Sequence, residues 1–493
     1  MKSYNELLLQ YKKINHTTVS YDTSLGIIDL YKMQVERNPE ATALIYYGEE
    51  LTYRQLEELS DKVAYYLSKK DVKKGDKVSV ILKNKLDFIV TVLGVVKLNA
   101  AYVPIDPDYP IDRIKFIIEN SESKLVIGDS EIQNIFPEII LYSEMLNQEW
   151  YSIITESCPE AGLYVMYTSG TTGKPKGSML PQAGAIRLVI DNSFCELKEH
   201  ERMLNTSTVI FDLSVFEIWG TLLNGLTLYL TDKKDIIEAK RLGNLLEKYE
   251  INVIIMSTSL FAELVRVDAR IFEPLDTLIV AGDTLFPTSA KLLYDACPKV
   301  TLLNGYGPTE NSTLATCYEV KRDDVNRETL LIGKVLSRST IYILDENNQL
   351  CDINVKGEIC VGGVGLAEEY LNQPELSAKK FIYHPELGEK IYKTGDIGAI
   401  DKNGNISFYG RRDNQVKVRG YRIELDEIRN KMLEESNVEH VYVTVEKDCT
   451  ENKVITAYFV ASDIIYPNIM RKWLKEKLPI YSIPNYIYID RSL

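Results

Sequence analysis

Histidine is scarce in this 493-residue chain. Only His16, His200, His384 and His440 occur, none in a motif and none beside another. That argues against a histidine metal cluster and leaves hydrolysis without its usual base. The seven cysteines (158, 195, 297, 317, 351, 360, 449) are scattered, odd in number and form no C-x-x-C pair. Neither a disulfide framework nor a structural zinc site is expected, and a reduced cytoplasmic setting follows. Positive charge is in deficit: the net charge is -14, which argues against nucleic acid and against an anionic membrane surface as partners. Long apolar runs are missing too. The run 88–96 is far too short to span a bilayer, and Met1-Lys2-Ser3-Tyr4-Asn5-Glu6 lacks a signal peptide's apolar core. Hydrophobic residues at 45% and charged residues at 26% are ordinary for a globular protein, and the length suggests about three domains.

What the chain does have is a loop rich in small and hydroxyl residues. Tyr167-Thr168-Ser169-Gly170-Thr171-Thr172-Gly173-Lys174-Pro175-Lys176-Gly177 follows a short apolar run, 163–166, that reads as a buried strand. Glycines let the backbone turn tightly and approach a ligand. Successive backbone N–H groups in such a turn make a concave anion site, and lysine adds a point charge for phosphate. The loop is not a Walker A motif, because Pro175 stands where Ser or Thr must follow the lysine.

Around this loop β-rich runs alternate with helical stretches. Residues 43–47, 77–82 and 125–127 read as strands, and 52–67, 87–98 and 111–119 as helices. Thr52 with Gln55 three residues later has capping-box spacing, and 87–98 is apolar all round and hence buried. The alternation resumes at 227–303, then gives way to short β runs from about 339. The predicted fold is α/β: two doubly wound α/β lobes plus a β-rich subdomain form a large N-terminal domain, 1–410. A small mobile α+β domain, 411–493, follows.

Three further stretches carry chemistry. Tyr306-Gly307-Pro308-Thr309-Glu310 follows a buried strand, where ligands sit in open α/β sheets. Its ring suits stacking on a base, its hydroxyl a phosphate, and its carboxylate Mg2+. In Phe211-Asp212-Leu213-Ser214-Val215-Phe216-Glu217-Ile218-Trp219-Gly220, an acid stands among apolar residues. Asp212 reads either as a helix N-cap or as a partly buried carboxylate awaiting a cationic ligand. Tyr392-Lys393-Thr394-Gly395-Asp396 ends a turn in an acid that could accept two ribose hydroxyls.

Taken together and in order, these stretches resemble the adenylation domain of non-ribosomal peptide synthetases, within the adenylate-forming enzymes that include acyl-CoA synthetases and firefly luciferase. The resemblance runs from about residue 30 to the end. It also covers Leu51-Thr52-Tyr53-Arg54-Gln55-Leu56, Leu98 to Pro110, Gly362 to Ala367 and Gly410 to Gly420. It implies ATP and Mg2+ as cofactors. Thr168, Ser169, Gly170, Thr171, Thr172 and Gly173 would hold the β- and γ-phosphates, with Lys174 and Lys176 orienting and neutralising the leaving pyrophosphate. Asn304 and Tyr306 would contact adenine with Phe408 near it, Asp396 would hold the ribose, and Arg411 would reach the nucleotide. Thr309 would meet the α-phosphate and Glu310 would bind the metal. Asp413 would be the hinge of the small domain.

By the same resemblance Asp212 would pair with the α-ammonium of an amino acid. Leu213, Phe216, Ile255, Ile279, Ala281, Gly305, Thr313 and Leu314 would line its side-chain pocket. None is charged, so a neutral apolar substrate is expected, aliphatic and valine-like rather than aromatic, with Ala281 and Gly305 leaving room. The partner would be a phosphopantetheine-bearing carrier domain outside these residues, and the isolated chain is expected to be monomeric. Two alternatives stay open: an acyl- or aryl-CoA ligase, and an inactive adenylation-like docking domain. Two departures from the family stand out. Gln182 replaces a usual histidine, with a packing role expected. The family's catalytic lysine lies in a Gly-Lys motif shortly after the segment Leu478-Pro479-Ile480-Tyr481-Ser482-Ile483-Pro484-Asn485-Tyr486, and the chain stops at Leu493 just short of it. The expectation is a piece of a longer protein that binds both substrates but adenylates slowly.

Overall fold

The computed structural model describes residues 4–170, 174–412, 415–418, 420–447, 453–462 and 465–489. Two large sheets dominate. One runs across six strands in the order Ile140–Leu141, Leu125–Gly128, Lys77–Ile81, Ala101–Pro104, Gly162–Thr168, Lys176–Pro181. Its pairs are parallel except the last, a hairpin in which Thr168 faces Lys176. The loop singled out in the sequence is the connection of this hairpin, so its two ends are held in register by a ladder. The expected strands and helices of this region are present. The helix Tyr53–Lys69 starts at a Thr52 cap with the Gln55 capping box formed. The helix Lys85–Val96 is capped by Asn84 and buried on every side from Phe88 on, as its all-round apolar sequence requires.

The second sheet has nine strands, in the order Lys334–Val335, Thr316–Glu319, Thr301–Tyr306, Thr277–Ala281, Val253–Ser257, Arg202–Leu204, Thr227–Leu230, Thr42–Tyr46, Glu49–Thr52. Its centre is parallel and both edges are antiparallel. Here the structure departs from the sequence reading. Thr42–Tyr46 does not join the strands that follow it in the chain; it pairs in parallel with Thr227–Leu230. The two lobes are therefore interleaved, and one continuous core runs between them, including Leu44, Leu93, Tyr164, Phe216 and Trp219.

A five-stranded antiparallel sheet forms the β-rich part: Ser339–Leu344, Gly357–Gly363, Glu389–Ile400 and Phe381–His384 in order, with Ile406–Arg411 also on Glu389–Ile400. Beyond it come the hairpin Gln415–Val418/Tyr421–Glu424 and a three-stranded sheet (Val438–Lys447, Lys453–Ala461, Tyr486–Ile489) with the helices Leu425–Leu433 and Pro467–Lys477. This α+β unit is docked on the rest by a buried ion pair, Arg113 to Glu427 at 3.1 Å. Tyr109 and Tyr481 share a hydrogen bond of 3.1 Å, and Lys453 meets Asp283 at 2.7 Å. Gln182 is buried and structural: Oε1 accepts from the Ile27 N–H, and Nε2 donates to Asn99. The six described cysteines are free. Among the described residues no helix is long and apolar enough to cross a membrane.

Candidate active site

The carboxyl ends of the parallel strands in the nine-stranded sheet open on a cleft. Its walls include Asp212, Leu213, Ala281, Thr309, Thr313 and Leu314 from the large unit. Asp396 and Arg411 come from the β-rich sheet, and Gln415, Lys417 and Arg422 from the following hairpin. Of the residues anticipated for the side-chain pocket, Leu213, Ala281, Thr313 and Leu314 face this cleft. Phe216, Ile255, Ile279 and Gly305 are buried behind it. The room expected over Gly305 is taken: a Cβ there would lie 2.9 Å from Leu314 Cδ2. Glycine at this position lets the Leu314 side chain lean onto the strand, which shortens the pocket instead of deepening it.

Asp212 occupies the N-cap position of the helix Leu213–Asn224 without capping it. Its carboxylate turns aside and accepts a 2.6 Å hydrogen bond from Thr309 Oγ1. Burial pushes its pKa up, against the Thr309 bond and the nearby Lys417 ammonium. Further along the same helix, fully buried Glu217 accepts from the backbone N–H groups of Thr206 (2.7 Å) and Ser207 (3.1 Å) and from Asn205 Nδ2 (2.5 Å). Burial raises its pKa to about 7, opposed by these donors. Glu217 thus ties the helix that starts at Asp212 to the 205–207 loop. Glu217→Gln keeps an oxygen for the backbone N–H groups but sets an NH2 group against the Asn205 donor, so a loss of about 1.5–3 kcal/mol in unfolding free energy is expected by urea denaturation.

Glu310 is the most constrained acid. Arg422 Nη1 bridges both its oxygens at 3.0 and 2.9 Å, and Tyr370 donates to Oε1 at 2.6 Å. Burial opposes its charge, but Arg422 and Lys176 outweigh burial and hold the carboxyl well below the usual range. Lys176 is itself buried, 5.0 Å above the Tyr370 ring and 3.9 Å from Glu424. Burial, with Arg422 adding to it, brings its pKa down to about 7. Lys174, by contrast, is exposed. Ser169 Oγ donates to the Arg422 carbonyl at 2.7 Å, and Thr168 Oγ1 is buried without a partner among the described residues. Gly170 closes the described side of the loop, whereas Thr171, Thr172 and Gly173, like Asp413, lie outside the described residues.

Asp396 is held from two sides, by Arg411 Nη1 at 2.6 Å and by the Tyr306 hydroxyl at 2.6 Å. The Tyr306 ring lies 6.1 Å from that of Phe408, and Asn304 Nδ2 donates to the Leu331 carbonyl at 2.8 Å. The structure therefore brings Thr309, Glu310, Tyr306, Asp396, Phe408 and Arg411 to one place. Lys417, Arg422, Tyr370 and Glu424 were not anticipated by residue. Gln415 to Gly420 stood inside a recognised motif, yet nothing local says that a side chain 112 residues beyond Glu310 reaches it.

This donor set suits a nucleotide polyphosphate: an orphaned hydroxyl at Thr168, a buried lysine, and a doubly held carboxylate that keeps further acceptor capacity. It suits a divalent metal at Glu310 once Arg422 gives up the two oxygens, since Mg2+ takes one or two carboxylates beside phosphate. Among the described residues no group of three or more His, Cys, Asp or Glu side chains could hold a metal, so one at Glu310 would take its remaining ligands from phosphate and water.

Comparison with known proteins agrees with this geometry. A model of the AMP-binding enzyme family matches residues 31–371. The chain is 36% identical over 479 residues to tyrocidine synthase 3 of Brevibacillus parabrevis, covering 96% of this chain and 7% of that protein. It is 37% identical over 486 residues to surfactin synthase subunit 2 of Bacillus subtilis (strain 168), covering 97% of this chain and 14% of that protein. The chain thus spans a small fraction of the length of these curated relatives. A solved non-ribosomal peptide synthetase protein containing adenylation and PCP domains, bound to a vinylsulfonamide inhibitor, is similar with a TM-score of 0.88 at 25% identity, covering 96% of this chain and 82% of that one. An o-succinylbenzoate CoA synthetase from Bacillus subtilis shares the fold, with a TM-score of 0.82 at 22% identity and 94% of each chain covered. The chain belongs to the AMP-binding enzyme family, and within it to the adenylate-forming ligases of the non-ribosomal peptide synthetase adenylation type.

Proposed function

We propose that the chain activates a neutral apolar amino acid, aliphatic rather than aromatic, with Mg-ATP. The products would be aminoacyl-AMP and pyrophosphate, and the aminoacyl group would pass on to a phosphopantetheine thiol on a carrier domain outside these residues. The observation that carries the reading is Asp212: a buried carboxylate at the cleft, hydrogen-bonded to a hydroxyl rather than to a cation. Lys417 and Arg422 favour its charge without a hydrogen bond to it, and an α-ammonium would supply the counter-charge in direct contact. A fatty or aryl acid would not, which favours an amino acid over the CoA-ligase reading.

In the reaction the amino acid carboxylate attacks the α-phosphorus in line. The bond from that phosphorus to the β-phosphate oxygen breaks, and pyrophosphate leaves. The protein's work is positioning and charge neutralisation. Lys176 faces the leaving phosphates, Asp396 takes the ribose hydroxyls, and Tyr306 with Phe408 offers rings to the base. A metal on Glu310 would neutralise phosphate charge. Residues 1–410 would act as the nucleotide and amino acid unit and 411–493 as the moving one, turning about Asp413.

The substrate's size follows from Leu314, which fills the space over Gly305, and its polarity from Leu213, Ala281 and Leu314. A charged side chain there would stay unpaired, a costly arrangement. Pyrophosphate exchange measured across all amino acids is expected to peak at small or branched aliphatic side chains. A profile dominated by acidic or basic residues, or coenzyme A-dependent product without any amino acid, would overturn the reading.

A further inference from the structure

We propose that Arg187, which touches neither substrate in the reading above, is a positioning residue that sets the shape and selectivity of the amino acid pocket. It stands in the helix Gln182–Val189 and is completely buried. Its described partners are not carboxylates but three main-chain carbonyls of one short segment. Nη1 donates to Leu314 O at 2.9 Å, and Nη2 to Asn311 O at 2.5 Å and Ser312 O at 3.5 Å.

That segment needs holding. Ser312 (φ 53°) and Thr313 (φ 72°) are consecutive non-glycine residues with left-handed backbone. Leu314 N donates to Ser312 O at 3.0 Å, closing a γ-turn of the rarer, strained hand around Thr313. Such backbone persists only where its surroundings over-determine it. The planar guanidinium fork offers donors in fixed directions, which a lysine ammonium does not. Burial lowers the Arg187 pKa only to about 10, so the fork stays charged at neutral pH.

The turn carries the pocket wall. Thr313 Oγ1 donates to Asp212 O at 2.9 Å, which ties the turn to the residue proposed to meet the α-ammonium. Leu314 is the side chain that fills the space over Gly305. The packing leaves the turn no slack. A Cβ on Gly184 would lie 2.0 Å from Ser312 Oγ, and one on Gly365 would lie 2.6 Å from Arg187 Nε. Ser312 Oγ also donates to Gly365 O at 2.8 Å. Helix, turn and the 362–367 motif therefore lock around the guanidinium, and the pocket inherits its dimensions from that lock.

The proposal rests on the amino acid reading of the site, and its test separates the two. Arg187→Gln and Arg187→Lys are compared with the wild-type full-length protein by pyrophosphate exchange. The expected result is an amino acid KM raised about ten-fold or more, because hydrogen bonds from a charged donor are lost. Discrimination between side chains one methylene apart should fall to about two-fold, against the roughly ten-fold or more that a shaped apolar pocket provides. The ATP KM should move less than about three-fold, since the lost contacts do not reach the nucleotide. Two variants keep the test open if arginine replacements fail to fold. Gly365→Ala pushes on Arg187 without removing its charge and should shift amino acid KM in the same direction. Ser312→Gly, which adopts the left-handed backbone freely, should restore part of the amino acid affinity when combined with Arg187→Gln. Unchanged amino acid KM and selectivity in Arg187→Gln or Gly365→Ala would overturn this proposal alone. A fall in kcat with both KM values and selectivity unchanged would do the same. Absence of amino acid-dependent exchange in the wild type would overturn the amino acid reading with it.

Discussion

Asp212→Asn is expected to lower kcat/KM for the amino acid by two orders of magnitude or more, with ATP binding little changed. The carboxylate is buried, and its hydrogen-bonded partner is the neutral Thr309 hydroxyl. Burial outweighs the favourable charges of Lys417 and Arg422, neither of which bonds to the carboxylate, so the free site is primed for an ammonium in direct contact. Removing one member of a buried ion pair costs about 3–5 kcal/mol, and each 1.4 kcal/mol is about ten-fold. The loss should fall mainly on amino acid KM, because the contact exists before the reaction begins.

Linkage gives a second readout for the same residue. The folded pKa of Asp212 is raised by burial, so the folded protein binds the proton more tightly than the unfolded chain. Its contribution to stability is full below the ordinary carboxylate pKa and is lost as pH rises through the raised value. The free Asp212→Asn variant should therefore be more stable than the wild type at neutral pH and equal to it in acid. Amino acid KM in the wild type should climb as pH falls through that same window, and the variant's KM should be flat across it. Denaturation curves at several pH values, paired with exchange kinetics, check both. A variant that binds the amino acid as well as the wild type would remove Asp212 from the site.

Arg422→Met is expected to tighten Mg-ATP binding while weakening the fold. Arg422 bridges both Glu310 oxygens, and its own carbonyl accepts from Ser169 in the loop proposed for the phosphates. Metal on Glu310 and the hairpin on Glu310 therefore compete for the same lone pairs. Without the arginine the metal loses its strongest rival, leaving the Tyr370 hydroxyl and the Lys176 charge, and the gain should be about ten-fold or more, because breaking a buried pair costs about 3–5 kcal/mol. In the free protein the same replacement removes the largest charge that favours the buried Glu310 carboxylate, so the urea midpoint should fall. The wild-type Glu310 pKa is depressed, so its stabilising contribution is present above the ordinary carboxylate pKa. It is lost only as pH falls through the lower folded value, well into acid. The variant's should be lost at higher pH. Equilibrium binding of a non-hydrolysable Mg-ATP analogue decides the matter. Weaker binding would mean that Arg422 is itself a nucleotide ligand.

Much of this was legible along the chain because it depends on near neighbours. The Thr52–Gln55 capping box, the buried helix Lys85–Val96 and the strand before the 167–177 loop follow from spacing and composition, and each is present. Tyr306, Thr309 and Glu310 could be named because a turn after a parallel strand is where an open sheet places its ligand groups. The partners of those groups could not be named. Thr309 meets Asp212 across 97 residues, Arg187 meets Leu314 across 127, and Glu310 meets Arg422 across 112.

The sequence by itself determined the class of fold, the kinds of side chain at the cleft and the family to which they belong. Hydrophobic period, capping and turn chemistry are short-range, and the ordered motifs leave little freedom. Only the tertiary structure decided that Thr42–Tyr46 crosses to the second sheet, that Leu314 fills the space over Gly305, and that Arg422 holds the acid expected to bind a metal. Those outcomes depend on which strand ends converge and on which buried charges find each other. Burial makes an unpaired charge costly but does not say in advance which distant cation will answer it.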